Sequence, residues 1–200
     1  MIIAGEYSFN GGKEYIKNHY SHLLTEIREV IAAVNASQYK NKQSERASLS
    51  SLNQAFKNEF KARSWVNRRV RCEYPTQFYK PEYQTRVKMD GSFRDMDFVK
   101  EKLGIEVQFG KDSFMVCNVC AKMTIFKNLG HIDAGIEIVP VKKLVSSMST
   151  GVSFFEQFIW DLEQRGVSNI DIPVLIIGID DEYGGEILAT PEEVVELQED

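Results

Sequence analysis

Asp95-Met-Asp97-Phe-Val-Lys-Glu-Lys-Leu-Gly-Ile-Glu106-Val-Gln108-Phe-Gly-Lys111 is the stretch on which the reading of this chain turns. Met96 to Val99 and Ile105 to Phe109 are short strand candidates, joined by the charged turn Lys100 to Gly104. On a strand, residues two apart share a face, so Glu106 and Gln108 project one way while Ile105, Val107 and Phe109 enter a core. If Asp97 ends the first strand, the hairpin brings Asp97 and Glu106 together. Two hard carboxylate oxygens and a nearby backbone carbonyl, for which Val107 is the natural donor, suit Mg²⁺. Such an ion lowers the pKa of a bound water and neutralises charge that builds on a phosphate. Gln108 can orient the attacking water, although, being uncharged, it cannot act as a lysine would. By itself an acid followed by Glu-x-Gln also arises by chance, on strands whose polar face is simply solvated.

Working outward, Ser113 is a candidate N-cap for a helix running to Leu129 and stopped by Gly130. Ala134 to Val139 reads as a buried strand ending at Pro140, Phe154 to Gln164 as a helix closed by Gly166, and the apolar run Pro173 to Ile179 as a central strand. Upstream, residues Asn10 to Gly12 break an opening extended stretch. Ile16, Tyr20, Leu23, Leu24, Ile27, Val30, Ile31 and Val34 then form one apolar helical stripe. Ser37 to Ser51 reads as a polar loop, Leu52 to Ala62 as a short helix, and Pro75 to Gly91 as turn-rich. The acidic segment Pro191 to Asp200 suits a last short helix. The order of elements predicts an α/β fold, a mixed central sheet flanked by helices, in a single domain over 1–200 with a core at about 90–180.

Composition fits that expectation. The chain is 43% hydrophobic and 26% charged, both ordinary for a globular protein. No apolar run approaches the length of a membrane span, and the acidic opening Met1 to Tyr7 is unlike a signal peptide. Three cysteines argue against a disulfide framework. A cytoplasmic protein with no membrane partner is expected. The net charge of −5 hides an asymmetry. Between Lys57 and Lys88 nine basic residues face three acidic ones, whereas from Asp161 to Asp200 twelve acids face the single base Arg165. One face toward phosphate and another turned away would account for this, as would a solvated surface with an acidic tail.

The string Ile105-Glu-Val-Gln-Phe-Gly-Lys111, with Asp97-Phe-Val-Lys upstream and Ser113-Phe downstream, resembles the active-site segment of the BglII/BstYI family of type II restriction endonucleases. The likeness continues through Asp133-Ala-Gly-Ile-Glu-Ile-Val-Pro140 and Ser149-Thr-Gly-Val-Ser153-Phe-Phe-Glu156. It is fainter at Leu52-Asn-Gln-Ala-Phe56 and poor between Arg63 and Gly91. The resemblance implies the PD-(D/E)xK nuclease fold, in a branch where Gln replaces the usual Lys. It implies that Asp97 and Glu106 hold Mg²⁺, that Gln108 lies beside the nucleophilic water, and that bases are read from places occupied here by Lys111, Lys122, Ser149, Thr150 and Ser153. Lysine can donate to guanine edges, and Ser or Thr to several bases. It further implies cleavage of double-stranded DNA at a palindrome with a GATC core, leaving 5′ overhangs, by a homodimer whose two-fold symmetry matches the site. A cognate DNA methyltransferase would protect the host. Either the Ile16–Val34 helix or the Ser113–Leu129 helix can supply the dimer face. A repair or recombination nuclease of the same fold, and a non-catalytic DNA-binding module, are the rival readings.

Other features are read blandly. Cys117-x-x-Cys120 lacks the second ligand pair a structural zinc needs, so both cysteines are expected to pack in the core beside Phe114 and Met123. His19, His22 and His131 form no triad or metal group, and Gly184-Gly185 lacks the Lys and Ser/Thr of a phosphate loop. Glu137 is a secondary candidate for the site. Trp65 and Tyr79 are expected to anchor irregular segments, the alternative being base stacking.

Overall fold

The computed structural model describes residues 1–35, 49–83, 91–110, 115–146, 148 and 151–181. Its centre is a six-stranded mixed sheet in the order β1-β6-β5-β4-β3-β2. The strands are β1 (Ile2–Phe9), β2 (Val66–Arg71), β3 (Phe93–Lys100), β4 (Leu103–Val107), β5 (Ala134–Pro140) and β6 (Val174–Asp180). The middle strands β4, β5 and β6 run parallel, while β1, β3 and β2 pair antiparallel at the two sides. β5 and β6 are buried along their whole length, as expected for strands covered on both faces. The mixed sheet agrees with the fold expected from the sequence.

Each face of the sheet carries its own core. Helices α1 (Gly12–His19), α2 (Ser21–Ala33) and α3 (Leu49–Ala62) lay Ile16, Leu23, Ile27, Phe56 and Phe60 against Ile105, Ile136 and Ile177. The other face is covered by a helical run, α4 (Met115–Cys117), a π-helical turn (Asn118–Met123) and α5 (Thr124–Asn128), together with α7 (Phe155–Arg165). From these, Val119, Met123, Phe126, Phe158 and Leu162 meet Met96, Val139, Val174 and Ile176. A short α6 (Lys142–Ser146) follows β5. The Phe155 ring seats on Gly5 and Gly178, which are paired across β1 and β6; a Cβ at either would lie 2.7 Å from the ring.

Several elements differ from their sequence reading. The single stripe Ile16–Val34 is two helices, because Tyr20 leaves helical geometry at φ −135°, ψ 32°. The stretch expected as a helix ending at Leu129 widens into the π-helical turn, and Gly130 at φ 75° then stops it. The β3/β4 turn is only Glu101-Lys102, both left-handed at φ 48° and 67°, the geometry that a right-twisted hairpin needs. Strand β2 is absent from the sequence reading. Cys117 is exposed and Cys120 only partly buried, so the expected packing of both cysteines fails at Cys117. Trp65 is buried and its indole N–H donates to Glu26, which makes it an anchor, while Tyr79 is exposed and meets Tyr83 edge-on at 5.0 Å. The expectations for Ser37–Ser48, Phe114, Gly184-Gly185 and Pro191–Asp200 lie outside the described residues.

Candidate active site

The site forms where the β3/β4 ladder stops. Phe98, Val99 and Lys100 pair with Ile105, Gly104 and Leu103, and the next pair in register would be Asp97 and Glu106. There, backbone pairing is replaced by crossed side-chain bonds. The Asp97 amide donates to Glu106 Oε1 at 3.3 Å, and the Val107 amide donates to Asp97 Oδ2 at 3.1 Å. Opposite β2, strand β3 carries an extra residue: Val66 pairs with Val99 but Arg68 with Met96. The bulge breaks alternation, so Met96 packs in the second core although Phe98 packs in the first. Asp97 therefore lies inside β3 and not at its end, and it converges with Glu106 all the same.

The parallel partner strand adds a third acid. Glu106 and Glu137 stand side by side in the β4/β5 register, on the face that carries Val139. Glu137 is fully buried; its Oε1 accepts from Asn118 Nδ2 at 3.0 Å, and its Oε2 has no partner. Opposite them, Lys122 Nζ lies 2.7 Å from Glu106 Oε2. Asn118 and Lys122 are four residues apart on the π-helical turn, which thus supplies a partner to each of the neighbouring glutamates. Single turns of this type recur at functional sites.

Burial dominates the electrostatics. It pushes the Asp97 carboxyl up, against the pull of its Val107 hydrogen bond and of the Lys122 and Lys57 charges. Glu106 is raised to about 7 by burial and by the Asp97 charge, with Lys122 opposing. Glu137 is raised well above the ordinary range by its complete burial and by Glu106. A cluster of acids that resist ionisation until a cation arrives, one with an orphaned buried oxygen, fits a hard divalent ion. Among the described residues no group of three His, Cys, Asp or Glu side chains is arranged as a metal cage. An ion here would take Asp97 and Glu106 and leave its other positions to backbone, water and substrate oxygens, as Mg²⁺ commonly does.

The remaining sequence candidates are scattered by comparison. Gln108 is part-exposed just beyond β4; its amide donates to the Ile138 carbonyl at 2.9 Å, so alternation keeps its side chain on the Glu106 face. Lys122, expected to reach bases, has its ammonium on Glu106. Ser153 lies in the loop before α7. Lys111, Ser113, Ser149 and Thr150 lie outside the described residues. His22 pairs with Glu101 at 2.9 Å on the surface, and His131 meets Arg68 at 3.1 Å, so neither joins the site. Asn118 went unnoticed in the sequence, because one amide on a polar helical stretch gives no periodic signal.

Comparison with known proteins gives the chain a family and a fold. The family described as restriction endonuclease BglII/BglIII matches residues 4–179. A crystal structure of free BglII superposes with a TM-score of 0.59 at 18% identity, covering 90% of this chain and 81% of that one, which shows a shared fold. No curated protein sequence matches.

Proposed function

Because this chain belongs to the BglII/BglIII family of restriction endonucleases, and so is a type II site-specific deoxyribonuclease acting on DNA, we propose that Asp97, Glu106 and Gln108 form its hydrolytic centre. The observation that carries this reading is the convergence of Asp97 and Glu106 at the interrupted β3/β4 ladder, with Glu137 in register beside them. Asp97, Glu106 and the Val107 carbonyl would hold Mg²⁺. When bound, that ion supplies an activated water and neutralises charge on the scissile phosphate. Gln108, a neutral donor and acceptor on the same face, orients the attacking water in line with the leaving oxygen. Met96, Val119 and Met123, next in sequence to Asp97, Asn118 and Lys122, belong to the apolar core of that face, and a weakly polar setting strengthens each charge interaction.

By resemblance, specificity is assigned to Lys111, Ser149, Thr150 and Ser153, with Lys122, whose ammonium lies on Glu106, nearer the chemistry. The substrate is a palindrome with a GATC core, cut to leave 5′ overhangs by a homodimer. No helix among the described residues is long and apolar enough to cross a membrane. A role in the cytoplasm beside a cognate methyltransferase follows from the restriction reading.

Digestion of a fully sequenced, unmethylated plasmid tests all of this. Discrete fragments that appear only with Mg²⁺ and share one palindromic end are expected. Asp97→Ala and Glu106→Ala should cut nothing yet still bind the same site. A smear without common ends, or full cleavage by either variant, refutes the assignment.

A further inference from the structure

Three carboxylates share this region, and Gln108 brings no charge to balance them. Lys122 does. It reaches across from the π-helical turn to 2.7 Å from Glu106 Oε2, and its side chain keeps 21% exposure while that of Glu106 keeps 3%. Packing alone does not require a lysine here, since its neighbours Val119 and Met123 fill the same interface with apolar groups. A buried ion pair is also a poor source of net stability compared with such groups. A four-carbon stem with residual water access suits an ammonium that changes partner.

Resting on the cleavage reading above, we infer that Lys122 is the resident counter-cation of the site: it aims the Glu106 carboxylate in the metal-free enzyme, yields that oxygen to the divalent ion, and then faces the phosphate of bound DNA. Removing its charge has effects of opposite sign. The dication no longer meets a positive neighbour, so it binds more tightly. The phosphate loses a cationic partner, so cutting slows. A lysine that only supported the fold would weaken both or neither.

Lys122→Met and Lys122→Arg, compared with the unaltered enzyme in the same buffer at one fixed pH, separate these cases. Mg²⁺ affinity is read by calorimetry, and single-turnover cleavage is read at saturating Mg²⁺. Lys122→Met should bind Mg²⁺ about tenfold more tightly and cut about a hundredfold more slowly. Lys122→Arg should keep near-normal Mg²⁺ affinity and regain part of the rate. Unchanged or weaker Mg²⁺ binding by Lys122→Met, or cleavage at the unaltered rate, overturns the inference. If Lys122→Met does not fold, Lys122→Gln is read by the same criteria. Should the unaltered enzyme neither bind Mg²⁺ nor cut, the cleavage reading itself falls and this role falls with it; if it does both, the variants decide the role of Lys122 alone.

Discussion

Glu106 and Glu137 stand in parallel register with almost no water around them, and Asp97 adds a third negative charge from the hairpin side. Glu106 titrates at about 7, against an ordinary 4.5. Between those values the folded protein keeps a proton that the unfolded chain has lost, so metal-free stability falls as pH rises through that window. Glu106→Gln removes this liability. Without metal it should melt several degrees above the unaltered protein at about pH 8, with the gap closing at about pH 4. An equal or lower melting temperature at the alkaline end speaks against the burial argument. Asn118→Leu strips Glu137 of its amide partner and should cost about 1–3 kcal/mol, measured by denaturant unfolding. The convergence of Asp97 and Glu106 was foreseeable from the hairpin. The strand period alone did not single these residues out from a solvated polar face, and the family resemblance of the segment was needed to choose them. Glu137 was only half legible: β5 is buried on both sides, which hides the alternation that marks a functional face.

At the level of elements, the β3/β4 hairpin fixes the separation of the site acids. Its two-residue turn forces Glu101 and Lys102 into the left-handed region, which costs each about 1–2 kcal/mol. The double change Glu101→Asn and Lys102→Gly should therefore raise the melting temperature by roughly 2–6 °C, with cleavage unaltered; the surface His22–Glu101 pair it removes contributes little. A lower melting temperature would show that the turn is not strained. Helix α1 makes the opposite case. A Cβ on Gly12 would sit 2.1 Å from the Val174 carbonyl oxygen, a backbone atom that cannot step aside. Gly12→Ala should cost about 3 kcal/mol or more in denaturant unfolding. Strands β4, β5 and β6 were readable because their apolar runs are short and bounded by turns. Strand β2 was not, since Val70 is its one buried residue and its arginines read only as part of a basic stretch that suits phosphate or solvent equally. Nor was the break at Tyr20, where the apolar stripe runs on across two helices.

Across the whole molecule, charge is laid out unevenly. The edge strand β2 and its neighbour β3 expose Arg68, Arg69, Arg71 and Arg94 beside the hairpin that holds the site acids, while the acid-rich end of the chain begins after Asp161. Such an edge also resists pairing with other chains. If it grips the DNA backbone, affinity should fall linearly on a log–log plot against salt, and Arg71→Ala should shallow that slope by about one unit. A slope unchanged in Arg71→Ala would place the phosphate contacts elsewhere. If the substrate is the palindrome proposed above, the mass in solution, by light scattering at micromolar concentration, should be that of two chains.

A helical turn closed by i→i+5 bonds holds one residue more than an α-helix spanning the same distance. Loss of a single codon within Asn118–Met123 would let the helix close regularly and still cover the sheet, but it would swing Lys122 away from Glu106 and Asn118 away from Glu137. For a gene whose product cuts DNA, this is a short mutational route to a weaker enzyme: one in-frame deletion would leave a folded protein that cuts its DNA far more slowly.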